Sequence, residues 1–169
     1  MASRWTAAAL VVVFAATAVG AAVARSGGSS NRKTLVVPLQ VVKQGKQVLA
    51  LVPVKLDGAG PFTFALDTGA SRSLVDSQLA AKLHVKKAGS TGKVGGVAGV
   101  TRVTLIKVRS WSVGSVKLPR TTIVMSNLPF GNAYTGVQGL LGSDMLSRFD
   151  VVTIDYDHGI LKLHARPLA

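Results

Sequence analysis

The chain has 169 residues, with 20 Lys or Arg against 7 acidic residues, a formal net charge of +13, and no Cys. That length holds one ordinary domain around a single apolar core and excludes a fused two-lobed enzyme, while the lack of Cys excludes disulfides and thiolate chemistry. Basic residues such as Lys43, Lys55, Arg102, Lys117 and Lys162 are dispersed through apolar segments, with no aromatic-interleaved stripe. This argues against nucleic-acid binding and for a general attraction to anionic envelope surfaces or acidic substrate segments.

Residues 1–24 carry the three parts of an export signal: Arg4 in a short positive head, an apolar run from Ala7 to Val19, and Ala22-Val23-Ala24 as a small-x-small cleavage site. Trp5 to Ala24 is also just long enough, at about 1.5 Å per residue, to span a bilayer core of about 30 Å. Residues 1–24 are therefore expected to be a signal peptide or a membrane anchor, with the domain outside the cytoplasm, in the cell envelope or beyond it. Residues 25–33, rich in Gly, Ser and basic side chains, read as a flexible linker.

From Thr34 to Ala169, short β-branched runs separated by Gly, Asp-Gly or Pro predict a mostly antiparallel β domain. Val48 to Leu56 and Phe62 to Leu66 flank Asp57-Gly58-Ala59-Gly60 as a hairpin would, with Asp57 in a type I′-like turn. Asp76 or Ser77 caps a short helix carrying Leu79 and Leu83. Arg102 to Val113 and Val116 to Leu118 bracket a turn at Gly114-Ser115, and Thr121 to Met125 adds a strand. Ser143 is placed to cap a second short helix, Asp144 and Asp150 read as end charges, and Trp111 as core or interface and not a ligand platform. Val151 to Tyr156 alternates before Asp157-His158-Gly159 turns the chain into Ile160 to His164. Pro38, Pro53 and Pro119 are expected at edges or bulges.

Because every acid is Asp, each of the seven can be weighed in turn. Asp67 stands apart: Phe64-Ala65-Leu66 is an apolar strand running into Asp67-Thr68-Gly69-Ala70-Ser71, a carboxylate delivered at a glycine-permitted turn. Splitting an amide with water needs a base for the nucleophile and an acid for the leaving nitrogen, and a lone carboxylate supplies only the first. Two carboxyls about 3 Å apart share one proton and supply both. No other Asp has the same strand-then-glycine setting, so a second Asp67 from another copy is the expected partner. Ile154-Asp155-Tyr156-Asp157-His158-Gly159 echoes the pattern but suits a solvent-facing hairpin tip, and as a metal site it would crowd three ligands on one turn. Asp-Thr-Gly on its own also occurs as a plain Asx turn.

The octet from Phe64 to Ser71 resembles the active-site segment of retropepsin-like aspartic proteases, and Val137-Gln138-Gly139-Leu140-Leu141-Gly142 resembles their downstream apolar-apolar-Gly segment. The resemblance implies a mostly β, closed orthogonal barrel with one or two short helices, in the single-motif form of bacterial exported or membrane-tethered proteins. It implies an endopeptidase acting as a homodimer on peptide or protein substrates, with no metal or organic cofactor. Asp67, Thr68 and Gly69 would be catalytic, Thr68 bonding across the two-fold axis and Gly69 turning its N–H toward the carboxylate. Ala70 would line the substrate site, and Ser71 would add a further hydrogen bond. Leu140, Leu141 and Gly142 would support the loop from beneath. The glycine-dense stretch from Gly92 to Val100 resembles the flap hairpin, placing Gly95, Gly96, Val97 and Gly99 over substrate; its plain alternative is a surface loop. Ser143 stands where retroviral enzymes carry Arg, so their salt bridge there is not expected. The alternative readings are a catalytically silent module of the same fold that binds peptides or dimerises in the envelope, and a basic surface protein holding anionic polymer.

Overall fold

In the computed structural model the described residues are 34–44, 47–96, 99–128 and 136–165. The leader, the linker and Val97 lie outside them. Among the described residues no helix is long and apolar enough to cross a membrane.

The elements run β1 (Thr34–Pro38), β2 (Gln40–Gln44), β3 (Gln47–Leu56), β4 (Ala59–Leu66), β5 (Leu74–Asp76), α1 (Ser77–Lys82), β6 (Lys87–Gly96), β7 (Gly99–Val108), β8 (Trp111–Val113) and β9 (Val116–Leu118). They continue through β10 (Thr121–Ser126), β11 (Val137–Leu141), α2 (Ser143–Leu146), β12 (Val151–Asp155) and β13 (Ile160–His164). The fold is mostly β with two short helices, as expected. Strands β1, β13 and β12 form a small antiparallel sheet in that order. The others form one sheet in the order β6-β7-β10-β5-β11-β4-β3-β8-β9, with β2 also on β3. The edge strands β6 and β9 do not pair with each other, so the expected barrel is not closed by a continuous hydrogen-bonded ladder.

Local chemistry explains the first hairpin. Asp57 and Gly58 both adopt positive φ, +49° and +85°, the conformation that joins two twisted strands through a two-residue turn. The Asp57 carboxylate does more than favour the turn: its Oδ1 accepts the backbone N–H groups of Arg109 and Ser110 at 2.8 and 2.9 Å. Capturing those two donors ends β7 at Val108 and starts β8 at Trp111, so the continuous strand predicted from Arg102 to Val113 is broken there. Pro53 is not at an edge. It sits on β3 between Leu51, where pairing with β2 ends, and Val54, where pairing with β8 begins, so no ladder bond needs its missing N–H. Of the two readings of Trp111, the structure gives core, with its indole N–H donating to the Pro119 carbonyl at 2.8 Å.

The sheet buries both faces. One carries the main core, with Val52, Val54, Phe64, Val75, Ile106, Ile123, Leu141 and Met145 fully or almost fully buried. The other carries a smaller cluster of Leu51, Ala65 and Leu140, against which Leu74 and Val137 pack. Alternation along β4 assigns Phe64 to the first face and Ala65 to the second. Burying the Phe64 ring contributes about 1.5–3 kcal/mol, and Gly139 makes room for it, because a Cβ at 139 would enter the ring.

Two pairings depart from the antiparallel rule and set up the site. β11 lies parallel to β4 and antiparallel to β5, and β5 lies parallel to β10. Because β11 sits between β4 and β5, the connection from Leu66 to Leu74 has to cross the end of β11. Asp67 opens that crossing.

Candidate active site

Parallel pairing carries β4 and β11 out of the sheet side by side, Leu66 opposite Leu141. The ladder's last bond runs from Asp67 N to the Leu141 carbonyl at 3.0 Å. The chain then turns, and the Asp67 carboxylate is held by its own loop: Oδ1 accepts the N–H groups of Gly69 at 2.9 Å and Ala70 at 3.1 Å. Among the described residues Oδ2 receives no hydrogen bond. Asp67 and Ala70 are half-buried, whereas Thr68, Gly69, Ser71 and Arg72 are exposed. The Thr68 side chain is thus at the surface, where a second copy can reach it.

Gly69 brings its N–H to the carboxylate as expected, but not through a left-handed backbone. It is not among the glycines at positive φ. What it provides is close approach, since a Cβ there would sit 3.3 Å from Asp67 Oδ1. Gly142 is likewise a matter of space: its φ of −98° is open to any residue, but a Cβ would lie 2.8 Å from the Ala70 oxygen and 2.9 Å from the Arg72 oxygen. The crossing loop rests directly on it.

Two helices flank this loop. α1 begins as predicted with Asp76 as its cap, Oδ1 accepting from Gln78 N at 2.9 Å and Leu79 N at 3.4 Å. α2 begins differently: Gly142 is the cap residue, and Ser143 is the first helical residue. Ser143 turns outward to the loop, donating from both N and Oγ to the Ala70 carbonyl at 2.8 and 3.0 Å. Asp144, expected as an end charge, also accepts from Ser73 N and Ser73 Oγ at 2.9 and 2.6 Å. Sequence reading missed Ser73. The only signal was a Ser followed by Leu74-Val75 at the start of a buried strand.

The predicted residues thus divide into two groups. Asp67, Thr68, Gly69 and Ala70 come together with Leu141 and Gly142, while Leu140 sits on the opposite sheet face beside Ala65. Gly95, Gly96 and Gly99 lie in the β6–β7 hairpin, with Gly95 opposite Val100 and Gly96 opposite Gly99. No hydrogen bond joins that hairpin to the Asp67 loop among the described residues. The Asp155 turn that echoes the motif is separate: Asp155 accepts the His158 N–H at 3.0 Å and contacts His158 Nδ1 at 2.9 Å, on the exposed end of the small sheet.

An Asp at a strand end, its carboxylate turned back onto the glycine loop, with a leucine-glycine segment crossing beneath, is the arrangement that the resemblance led us to expect. Residues 52–145, more than half the chain, match the aspartyl protease family, and the chain belongs to that family. Among solved structures it is similar to a retropepsin-like aspartic protease from Rickettsia conorii, at 16% identity and a TM-score of 0.51, over 83% of this chain and 98% of that one. The fold is retropepsin-like. No curated protein matches the chain.

Proposed function

We propose that this protein is an aspartic endopeptidase in which Asp67 from each of two protomers activates one water molecule. The observation that carries the reading is the Asp67 carboxylate itself: half-buried at the surface, fixed through Oδ1 by Gly69 and Ala70, with Oδ2 unbonded by any described residue. A single such carboxylate can take a proton but has none to give the leaving nitrogen. Its twin, related by a two-fold axis, shares one proton with it, so that one acts as base while the other acts as acid, and the roles reverse as the tetrahedral intermediate collapses. Thr68 would tie the two loops across the axis. Gly95, Gly96, Val97 and Gly99 would close over an extended peptide and exclude water.

The export reading rests on the sequence of residues 1–24, and it makes envelope or extracellular proteins the substrates.

The test is peptide-library digestion at mildly acidic pH by the wild type and D67N, with oligomeric state measured by sedimentation. Cleavage by a dimer, blocked by a pepstatin-type inhibitor and abolished in D67N, is expected. Cleavage surviving in D67N refutes the assignment, and peptide binding without wild-type cleavage identifies a silent module instead.

A further inference from the structure

Among the described residues Ser73 is the polar side chain that is completely buried, and each of its polar groups is engaged. Its hydroxyl donates to Asp144 Oδ1 at 2.6 Å and accepts from Gly142 N at 3.0 Å. Its N–H donates to the same Asp144 oxygen at 2.9 Å, and its carbonyl accepts from Val124 N at 3.2 Å. The bonds to Asp144 and Gly142 reach across some seventy positions of chain, from the loop that opens at Asp67 to the segment that crosses beneath it. The neighbouring contacts extend the path to the carboxylate. Ser143 N and Oγ hold the Ala70 carbonyl, and Ala70 N donates to Asp67 Oδ1.

We infer that Ser73 and Asp144 are positioning residues for Asp67, a pair that fixes the far end of the catalytic loop while Ser143 fixes its middle. The inference rests on the assignment of Asp67 as the catalytic group. The chemistry suits the task. A carboxylate accepting from both N–H and O–H of one residue pins that residue in two directions, and a charge-assisted O–H···O bond is short and strong. Without the hydroxyl, Gly142 N would be left buried and unsatisfied. The chain would shift to recover a partner, and Gly142 lies so close to the Ala70 and Arg72 backbone that not even a Cβ would fit between them. Displacing a reacting group by about 1 Å costs on the order of 100-fold in rate. A pair that only stabilised the fold would leave turnover per folded molecule unchanged.

The experiment uses the full chain and a fluorogenic peptide selected on the wild type. S73A is expected to lower kcat on the order of 100-fold with KM unchanged, and S73T, which keeps the hydroxyl, to restore most of it. D144A should resemble S73A, while D144N, which keeps an acceptor but loses the charge, should fall between D144A and the wild type. Wild-type kcat in folded S73A, or a loss confined to KM, overturns the inference. If S73A does not fold, D144A at a half-buried position carries the same comparison. If the wild type cleaves nothing, the catalytic reading fails separately, and positioning is then judged by amide hydrogen exchange at Gly69 and Ala70: faster exchange in D144A sustains it, and unchanged exchange rejects it.

Discussion

Two turns in this protein use the same local device and end in different places. At Asp67 and at Asp155, an aspartate at the end of a strand accepts the backbone N–H of a residue two or three positions on, just ahead of or within a glycine turn. The Asp155 turn simply joins β12 to β13, neighbours in a three-stranded sheet, and its tip is exposed. The Asp67 turn joins strands that are not neighbours, so it has to cross β11, and the crossing brings α2, Gly142 and Ser73 against it. Topology is what sets a common Asx-type turn against these distant partners.

Substitutions at matched positions sharpen the contrast. The largest expected difference is between D67N and D155N: the first should reduce peptide cleavage by ~10³-fold or more, in line with loss of acid–base catalysis, and the second should leave it unaltered. Equal cleavage rates in the two variants would erase the functional distinction. Next comes the pair of glycines. G142A places a Cβ against the Ala70 and Arg72 backbone and should destabilise by about 1–3 kcal/mol in urea unfolding, with cleavage reduced as well. G159A forces Ala to a φ of +63° and against the Leu39 carbonyl, so about 1–2 kcal/mol should be lost while kcat stays at its wild-type value. A kcat deficit in G159A would tie the small sheet to catalysis.

The smallest effect is electrostatic. The His158 backbone N–H, then its side chain, hold the Asp155 carboxyl below the usual carboxylate range. A carboxyl depressed in the folded state contributes stability above its unfolded pKa, which is lost as pH falls through the folded one. The wild type should therefore melt slightly above D155N at neutral pH, and the gap should close as pH drops below about 3.9. A gap that widens on acidification would contradict the sign.

The hairpin at Asp57-Gly58, the cap at Asp76, the strands around Gly114 and the last hairpin are local, and each is legible because turn chemistry and alternation act within a few residues. The break of β7 at Arg109 was not legible, since its cause is Asp57, more than fifty residues away. The same distance hid Ser73. A serine before a strand has no distinguishing pattern until Asp144 and Gly142 are placed against it. Ser143 illustrates the converse: its type suited a cap, but the Ala70 carbonyl took its hydroxyl.

Short-range physics assigned the β class and the turn that presents Asp67, because strand alternation, turns and caps are decided by neighbours in the chain, while the supporting glycine segment was assigned by its resemblance to a family motif. The open strand order, the crossing over β11, and the Ser73–Asp144 clamp were decided by the tertiary structure. Parallel pairing of β4 with β11 joins segments over seventy residues apart, and no local preference encodes which distant strand will fill the gap between two others.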